Sequence, residues 1–317
     1  MKYVFGPVPS RRLGRSLGID PVPFKTCNWN CVYCQLGRTT PMTNVRREFF
    51  PRFEIVAEVA DTLAGPAAGE IDWITFVGSG EPLLHAGLGA MIREVKSLTP
   101  LPVAVITNGS LLYQRKIQEE LMAADAVLPT LDVGSAKLYQ TINRPLPQLR
   151  FESLVEGLSA FRRGYRGKMW LEVMLVRGIN DTEEALADLA GVLARIQPDE
   201  VQINVPVRPP AEPWVEAPDE ERLARAREVL GGAVRTLGPD EERFDLANYS
   251  EVDDAIVEVV TRHPMREQQL LRTLANWNRE QITEALERLA AAGRLQRISR
   301  AGTVFWTTAQ ARYGERR

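Results

Sequence analysis

The chain has 317 residues, of which 44% are hydrophobic and 25% charged, ordinary values for a soluble globular protein of about two domains. The formal net charge is −2, from 39 Lys and Arg against 41 Asp and Glu, so no global charge points to a polyanion and any basic surface must be local. No run approaches the ~18 consecutive apolar residues of a membrane span, and the opening residues lack a signal-peptide core, so a cytoplasmic protein without a membrane partner is expected.

Short runs rich in Val, Ile and Leu alternate with amphipathic stretches from residue 17 to 236. Strands are expected at 17–22, 73–77, 103–107, 126–132, 169–176 and 201–205, with the character of parallel strands covered on both faces. Helices are expected at 55–63, 88–98, 112–123, 154–163, 182–196 and 220–237. Asp181 is the expected cap of the fifth helix, and Pro218-Asp219 opens the sixth. Six β–α units make a parallel α/β fold, and an open doubly wound sheet and a partial barrel both fit this periodicity. In either, functional residues belong at the C-terminal ends of the strands.

The polar segment 238–250 breaks the alternation. Helices follow at 252–262, 265–274 and 278–292, then a hairpin of strands 295–298 and 303–307. Three helices and a hairpin is the order of a winged helix-turn-helix module, so a second domain is expected over 251–317. Residues 294–317 carry six Arg (294, 297, 300, 312, 316 and 317) and one acid, Glu315. With Trp306 nearby, this basic wing suits nucleic-acid backbone, whereas Glu280, Glu284 and Glu287 on the third helix oppose it. Protein or peptide docking and plain structural packing are the other roles such a module takes.

All three cysteines, Cys27, Cys31 and Cys34, lie within eight residues as C-x3-C-x2-C. An odd, clustered set does not suit a disulfide framework. Thiolates are the preferred ligands of iron–sulfur clusters, and three of them hold three corners of a cubane while the fourth iron stays open. Zinc is the alternative, but it normally takes four protein ligands, and the only histidines are His85 and His263. Free buried thiols are the third reading.

The C-x3-C-x2-C run, with the aromatic Tyr33 before its last cysteine, resembles the signature of the radical S-adenosylmethionine (SAM) enzymes. The second strand ends in Gly78-Ser79-Gly80-Glu81-Pro82, similar to that family's glycine-rich GGEP segment, and the third ends in Thr107-Asn108-Gly109, also common there. The fourth ends in Asp132, and the fifth runs into Val176-Arg177-Gly178-Ile179-Asn180-Asp181, again familiar. The resemblance implies a partial (β/α)6 TIM-like barrel over 1–240 followed by the winged helix-turn-helix domain. It also implies a 4Fe–4S cluster on Cys27, Cys31 and Cys34, with SAM chelating the open iron. Reductive cleavage of SAM would then give a 5′-deoxyadenosyl radical that abstracts hydrogen from substrate. Flavodoxin or ferredoxin is the kind of electron donor implied. The opening Phe5-Gly6-Pro7-Val8-Pro9-Ser10-Arg11-Arg12-Leu13-Gly14-Arg15-Ser16-Leu17-Gly18 is similar to one branch of the family, related distantly to wyosine-type tRNA-modifying enzymes and molybdopterin-type cyclases.

By the same resemblance, Tyr33, Gly78, Ser79, Gly80, Glu81, Pro82, Asn108 and Asp132 are the SAM-contacting set. Glycines allow close backbone approach to a ligand. Glu81 is expected mainly to hold its turn, and Asp132 either to reach the ligands or to cap the next helix. Arg11, Arg12 and Arg15 present guanidinium forks suited to a carboxylate or phosphate of the substrate, and Asn204 joins them at the last strand end. Trp29 is expected to shield the cluster from solvent. No residue stands out as a catalytic acid, base or nucleophile. The expected substrate is macromolecular, RNA first. An activase or maturase acting on a protein or peptide is the alternative enzyme, and an iron–sulfur DNA-binding regulator the alternative from another class.

Overall fold

The computed structural model describes residues 2–10, 12–231, 234–236 and 249–315. Arg11 and positions 238–248 of the polar segment lie outside the described residues.

The chain opens with an antiparallel pair, β1 (Val4–Ser10) and β2 (Gly14–Ile19). No strand is expected from the sequence at β1, which holds Pro7 and Pro9. Both are tolerated because β1 is the edge of the sheet, where a missing N–H breaks no central ladder. The pairing register shifts between Phe5 and Val8, next to Gly6 with φ of +96°. Strand β2 begins ahead of the expected 17–22, so Arg15 lies within it.

The expected β–α alternation then follows, with shifted bounds and one additional helix over 136–142. It proceeds through α1 (Arg52–Leu63), β3 (Trp73–Phe76), α2 (Leu88–Leu98), β4 (Val103–Thr107), α3 (Arg115–Leu121) and β5 (Ala126–Pro129). Next come α4 (Ala136–Ile142), α5 (Phe151–Gly164), β6 (Lys168–Met174), α6 (Glu183–Ile196) and β7 (Glu200–Asn204). The sheet closes with α7 (Glu220–Leu230) and β8 (Val234–Thr236). The helix expected over 220–237 is thus a helix and a strand, because Gly231, at φ of +91°, ends α7. Thr182, not Asp181, caps α6, accepting from Ala185 N. Asp181 instead accepts from Gly178 N at 2.6 Å and closes the preceding turn.

Strand order in the eight-stranded sheet is chain order, and every pair from β2 to β8 is parallel. Ser16 and Gly18 of β2, Thr75 of β3, Glu172 and Met174 of β6 and Asn204 of β7 line one cavity of about 320 Å³. Strands distant in the order therefore face one another, and the sheet curls around an interior. Its helices bury apolar stripes on the outside, such as Leu88, Met91, Ile92 and Val95 of α2.

Beyond residue 250 come α8 (Val252–Arg262), α9 (Glu267–Thr273), α10 (Arg279–Ala291) and the hairpin β9 (Leu295–Arg300) and β10 (Thr303–Thr308). Asn278 and Gln281 form a reciprocal capping box at the start of α10. Ile256, Val260, Leu270, Ile282, Leu286 and Trp306 belong to a buried cluster separate from that of the sheet. Among the described residues, no helix is long and apolar enough to cross a membrane.

Candidate active site

The three cysteines sit in the long loop between β2 and α1. Its apolar anchors explain how that loop holds a shape without secondary structure. Val32 is fully buried and its N–H donates to Ile142 O at 2.9 Å. Trp29, 2% exposed, packs edge-on against Tyr139 with ring centroids 5.3 Å apart. It lies in the core beneath the loop, so it anchors the thiols rather than screening them from water.

Cys27, Cys31 and Cys34 are free and half-buried. Burial and the neighbouring Glu81 charge push the Cys27 thiol up to about 12, and burial, then Asp132, push Cys31 well above its ordinary value. Lys25 opposes this. Its Nζ lies 3.2 Å from Cys34 Sγ, and its charge reaches all three sulfurs. The sequence carries one hint of Lys25, since only six of the 39 cationic residues are Lys and one stands two places before Cys27. Among the described residues, no three or more His, Cys, Asp or Glu are grouped as one metal ion requires.

The segment 78–82 lies directly against this loop. Lys25 N donates to Ser79 O at 2.7 Å, and Glu81 N donates to Thr26 O at 2.8 Å. Only glycine fits at position 80, because a Cβ there would lie 2.0 Å from Thr26 O. Gly78 lines the cavity. Ser79 donates through both N and Oγ to Asp20 Oδ2, at 3.0 and 2.6 Å. Pro82 is buried and opens a short 3-10 turn capped by Glu81.

Two buried carboxylates tie the site together. Glu81, 1% exposed, accepts from Leu83 N at 2.9 Å, Thr107 Oγ1 at 2.5 Å and Asn108 N at 2.7 Å. Asp132 accepts from Tyr33 OH and Asn143 Nδ2, both at 2.6 Å, and from Met174 N at 2.7 Å. It does not cap α4. Its oxygens join the cysteine loop to β6, and Ser135 occupies the N-cap of α4. Asn108 Nδ2 donates to Asn28 Oδ1 at 2.7 Å, 3.8 Å from Cys27 Sγ. Sequence reading does not single out Asn28, Asn143 or Asp20, because their partners are distant in the chain.

Burial raises Glu81 to about 7 and Asp132 to about 6. A carboxylic acid whose pKa is raised on folding binds more protons in the native than in the unfolded state. The stability these two carboxyls contribute is therefore fully present below about pH 4 and is lost as pH rises to about 7, on the order of 3 kcal/mol per carboxylate. Thermal melts of the metal-free protein between pH 5 and 8 should show a falling midpoint, and Glu81→Gln should flatten that slope. A midpoint that rises with pH would count against this assignment.

Arg12 is ion-paired to Glu172 at the cavity wall. Asn204 also faces the cavity, with Oδ1 buried and without a hydrogen-bond partner among the described residues. Arg15 is a correction. It pairs with Glu70 at 2.5 Å, both about half exposed, and its N–H is fixed by Asp72, so it does not line the cavity. Arg11 lies outside the described residues.

The hairpin packs onto the sheet unit rather than standing clear of it. Arg300 donates to Arg208 O and, at 3.3 Å, to Val215 O. Arg38 N donates to Arg312 O at 2.6 Å, and Tyr313 OH to Gln35 O at 2.8 Å, one residue after Cys34. Arg288 pairs with Asp253 at 2.6 Å, and Arg297 lies 4.5 Å above the Trp306 ring. Much of the basic edge is thereby engaged within the chain.

A model of the family described as the Radical SAM superfamily matches residues 22–190, more than half of the chain. The chain belongs to the radical SAM superfamily. It is 33% identical over 312 residues to a UPF0026 protein of Methanocaldococcus jannaschii, covering 96% of each chain. It is 35% identical over 298 residues to a protein of Brachyspira hyodysenteriae named GTPase Obg, covering 93% of this chain but only 43% of that one. The present chain has no G-x4-G-K-[ST] phosphate loop. Its fold is similar to that of a radical SAM methyltransferase from Sphaerobacter thermophilus, with a TM-score of 0.55 and 18% identity over 70% of this chain and 66% of the other. The chain is thus a radical SAM enzyme, and its superfamily implies SAM and a 4Fe–4S cluster. The donor chemistry fits: three free thiols beside one ammonium, on a loop backbone-paired to the glycine segment whose Gly78 lines the cavity.

Proposed function

We propose that Cys27, Cys31 and Cys34 hold a 4Fe–4S cluster, and that SAM completes it from the cavity beside Gly78. When bound, this pair supplies a 5′-deoxyadenosyl radical for hydrogen abstraction. The observation that carries the reading is the backbone pairing of the cysteine loop with the glycine segment at the rim of the cavity. The polypeptide contributes position and exclusion of water. Gly78, which lines the cavity, and the adjoining Ser79 and Gly80 offer backbone polar groups to the methionyl end, and Tyr33 and Asn108 lie beside the thiols, outside the cavity lining. Glu81, Pro82 and Asp132 act behind them, as braces. Lys25 offsets the negative charge that three thiolates bring. The sheet unit is read as a partial (β/α)6 barrel over 1–240 and the helices with hairpin as a winged-helix domain over 251–317, in a cytoplasmic enzyme served by a flavodoxin- or ferredoxin-like donor.

Anaerobic reconstitution tests this directly. The reduced protein should bind about four iron per chain and form 5′-deoxyadenosine from SAM. No 5′-deoxyadenosine, even with cell extract added, would overturn the reading.

For the substrate we propose a group presented by a larger molecule, RNA first, with Arg12 and Asn204 receiving it. The support is the cation at the cavity wall and Arg294 and Arg297 on the exposed hairpin edge. Arg297→Glu should lower tRNA affinity about tenfold at low salt and reduce the salt slope by about one. Unchanged tRNA binding would exclude the hairpin as the RNA contact. Stimulation of 5′-deoxyadenosine formation by the peptide fraction of an extract, and not by its RNA, would replace RNA with a protein or peptide.

A further inference from the structure

The last turn of α8 lies against both halves of the proposed cofactor site, although it is far from them in sequence. The Arg262 side chain is 15% exposed, and Nη2 lies 3.4 Å from Asp20 Oδ2. Nη1 is paired with Glu258, one turn earlier, and the guanidinium sits 4.4 Å above the Phe5 ring. Asp20 Oδ2 is the oxygen that accepts both hydrogen bonds from Ser79. Asp20 Oδ1 lies 2.8 Å from where a Cβ on Gly78 would be. The Arg262 carbonyl accepts from Gln35 Nε2 at 2.8 Å, immediately after Cys34.

Asp20 is 5% exposed, and burial drives such a carboxyl toward its neutral form. The Arg262 charge is the largest influence opposing that, ahead of the Ser79 hydrogen bonds. Hydrogen bonds to an ionised acceptor are about twice as strong as those between neutral groups. A neutral Asp20 would therefore grip Ser79 more weakly, and the glycine segment would lose its brace on the side away from Thr26.

We infer that Arg262 is a positioning residue for the SAM segment: through its ion pair with Asp20, the acceptor of both Ser79 hydrogen bonds, it holds the glycine segment with Gly78 at the cavity wall, which makes the C-terminal unit an integral part of the cofactor site. This rests on the cofactor reading above. The role differs from docking a partner or simple packing, because it acts through one named carboxylate.

The test is the SAM dissociation constant, measured by titration calorimetry on anaerobically reconstituted full-length protein, with iron content as a second readout. Arg262→Ala and Asp20→Asn should each weaken SAM binding about tenfold at unchanged iron content. The double variant should be no weaker than either single one, because both remove the same brace. Arg262→Lys should stay within about threefold of wild type, since the charge is kept. Should Arg262→Ala fail to fold, Arg262→Gln, which keeps the stem over Phe5 and removes the charge, carries the same expectation. Wild-type affinity in the charge-removing variant overturns the inference, and so does an additive loss of about a hundredfold in the double variant. A wild-type protein that holds its cluster but binds no SAM overturns the cofactor reading together with this inference.

Discussion

Replacing Cys31 with serine should abolish iron–sulfur loading, with iron falling from about four per chain to below about one, and 5′-deoxyadenosine formation falling at least about a thousandfold. The reason is donor softness. A serine oxygen is hard and stays protonated, whereas the cluster needs a thiolate. The same expectation holds for Cys27 and Cys34, because no other cysteine exists in the chain to substitute. The fold should survive. Cys31 is only half-buried, and Val32 and Trp29 on either side of it carry the apolar anchoring of the loop. Thermal melts of the metal-free variant should therefore match those of the metal-free wild type. Iron and activity retained at wild-type levels would show that Cys31 is no ligand.

The second large effect is expected at Gly80, where adding one methyl group should weaken SAM binding about a hundredfold while leaving iron content intact. An alanine Cβ would sit 2.0 Å from Thr26 O, which is backbone and cannot swing aside. The two segments must part by about an ångström to reach ordinary contact distance. That movement strains the Lys25–Ser79 and Glu81–Thr26 backbone bonds, at 2.7 and 2.8 Å, which register the glycine segment on the cysteine loop. A drop of a few degrees in the melting midpoint should accompany it. Gly191→Ala is the control. It lies within α6 with nothing within 4 Å of the added carbon, so it should be neutral or slightly stabilising. Equal SAM affinity in Gly80→Ala and wild type would remove the glycine segment from the cofactor site.

The two halves of the site differ in how they could be read. Cys27, Cys31 and Cys34 are close because eight consecutive residues cannot lie far apart, whatever the rest of the chain does. Gly80 carries its reason in its lack of a side chain, and the turn at 78–82 follows a short β-type run. Helix and strand periodicity likewise marked the β–α alternation, since each element buries its own apolar face. Strand β1 leaves no such mark, because its prolines are tolerated only at a sheet edge, and edge position is a property of the assembled sheet. The C-terminal end of α7 leaves none either, because Gly231 in a left-handed conformation divides a run that reads as one helix.

Partnerships across the chain needed the assembled fold. Asp132 reads as a strand-end carboxylate free to meet a ligand, yet both its oxygens accept within the chain, from Tyr33, Asn143 and Met174, the first of these 99 positions away. Arg15 reads like Arg12, yet one pairs outside with Glu70 and the other inside with Glu172, because Arg15 lies on strand β2 and Arg12 in the turn before it. Arg300 reads as part of a basic wing, yet it donates to carbonyls of the sheet unit. Local spacing is conserved by chain connectivity, so the thiol trio and the glycine turn were legible from residue order alone. Which charge meets which, and that Arg262 reaches the glycine segment through Asp20, depends on strand order and on how the second unit seats against the first, and neither leaves a periodic mark in the sequence.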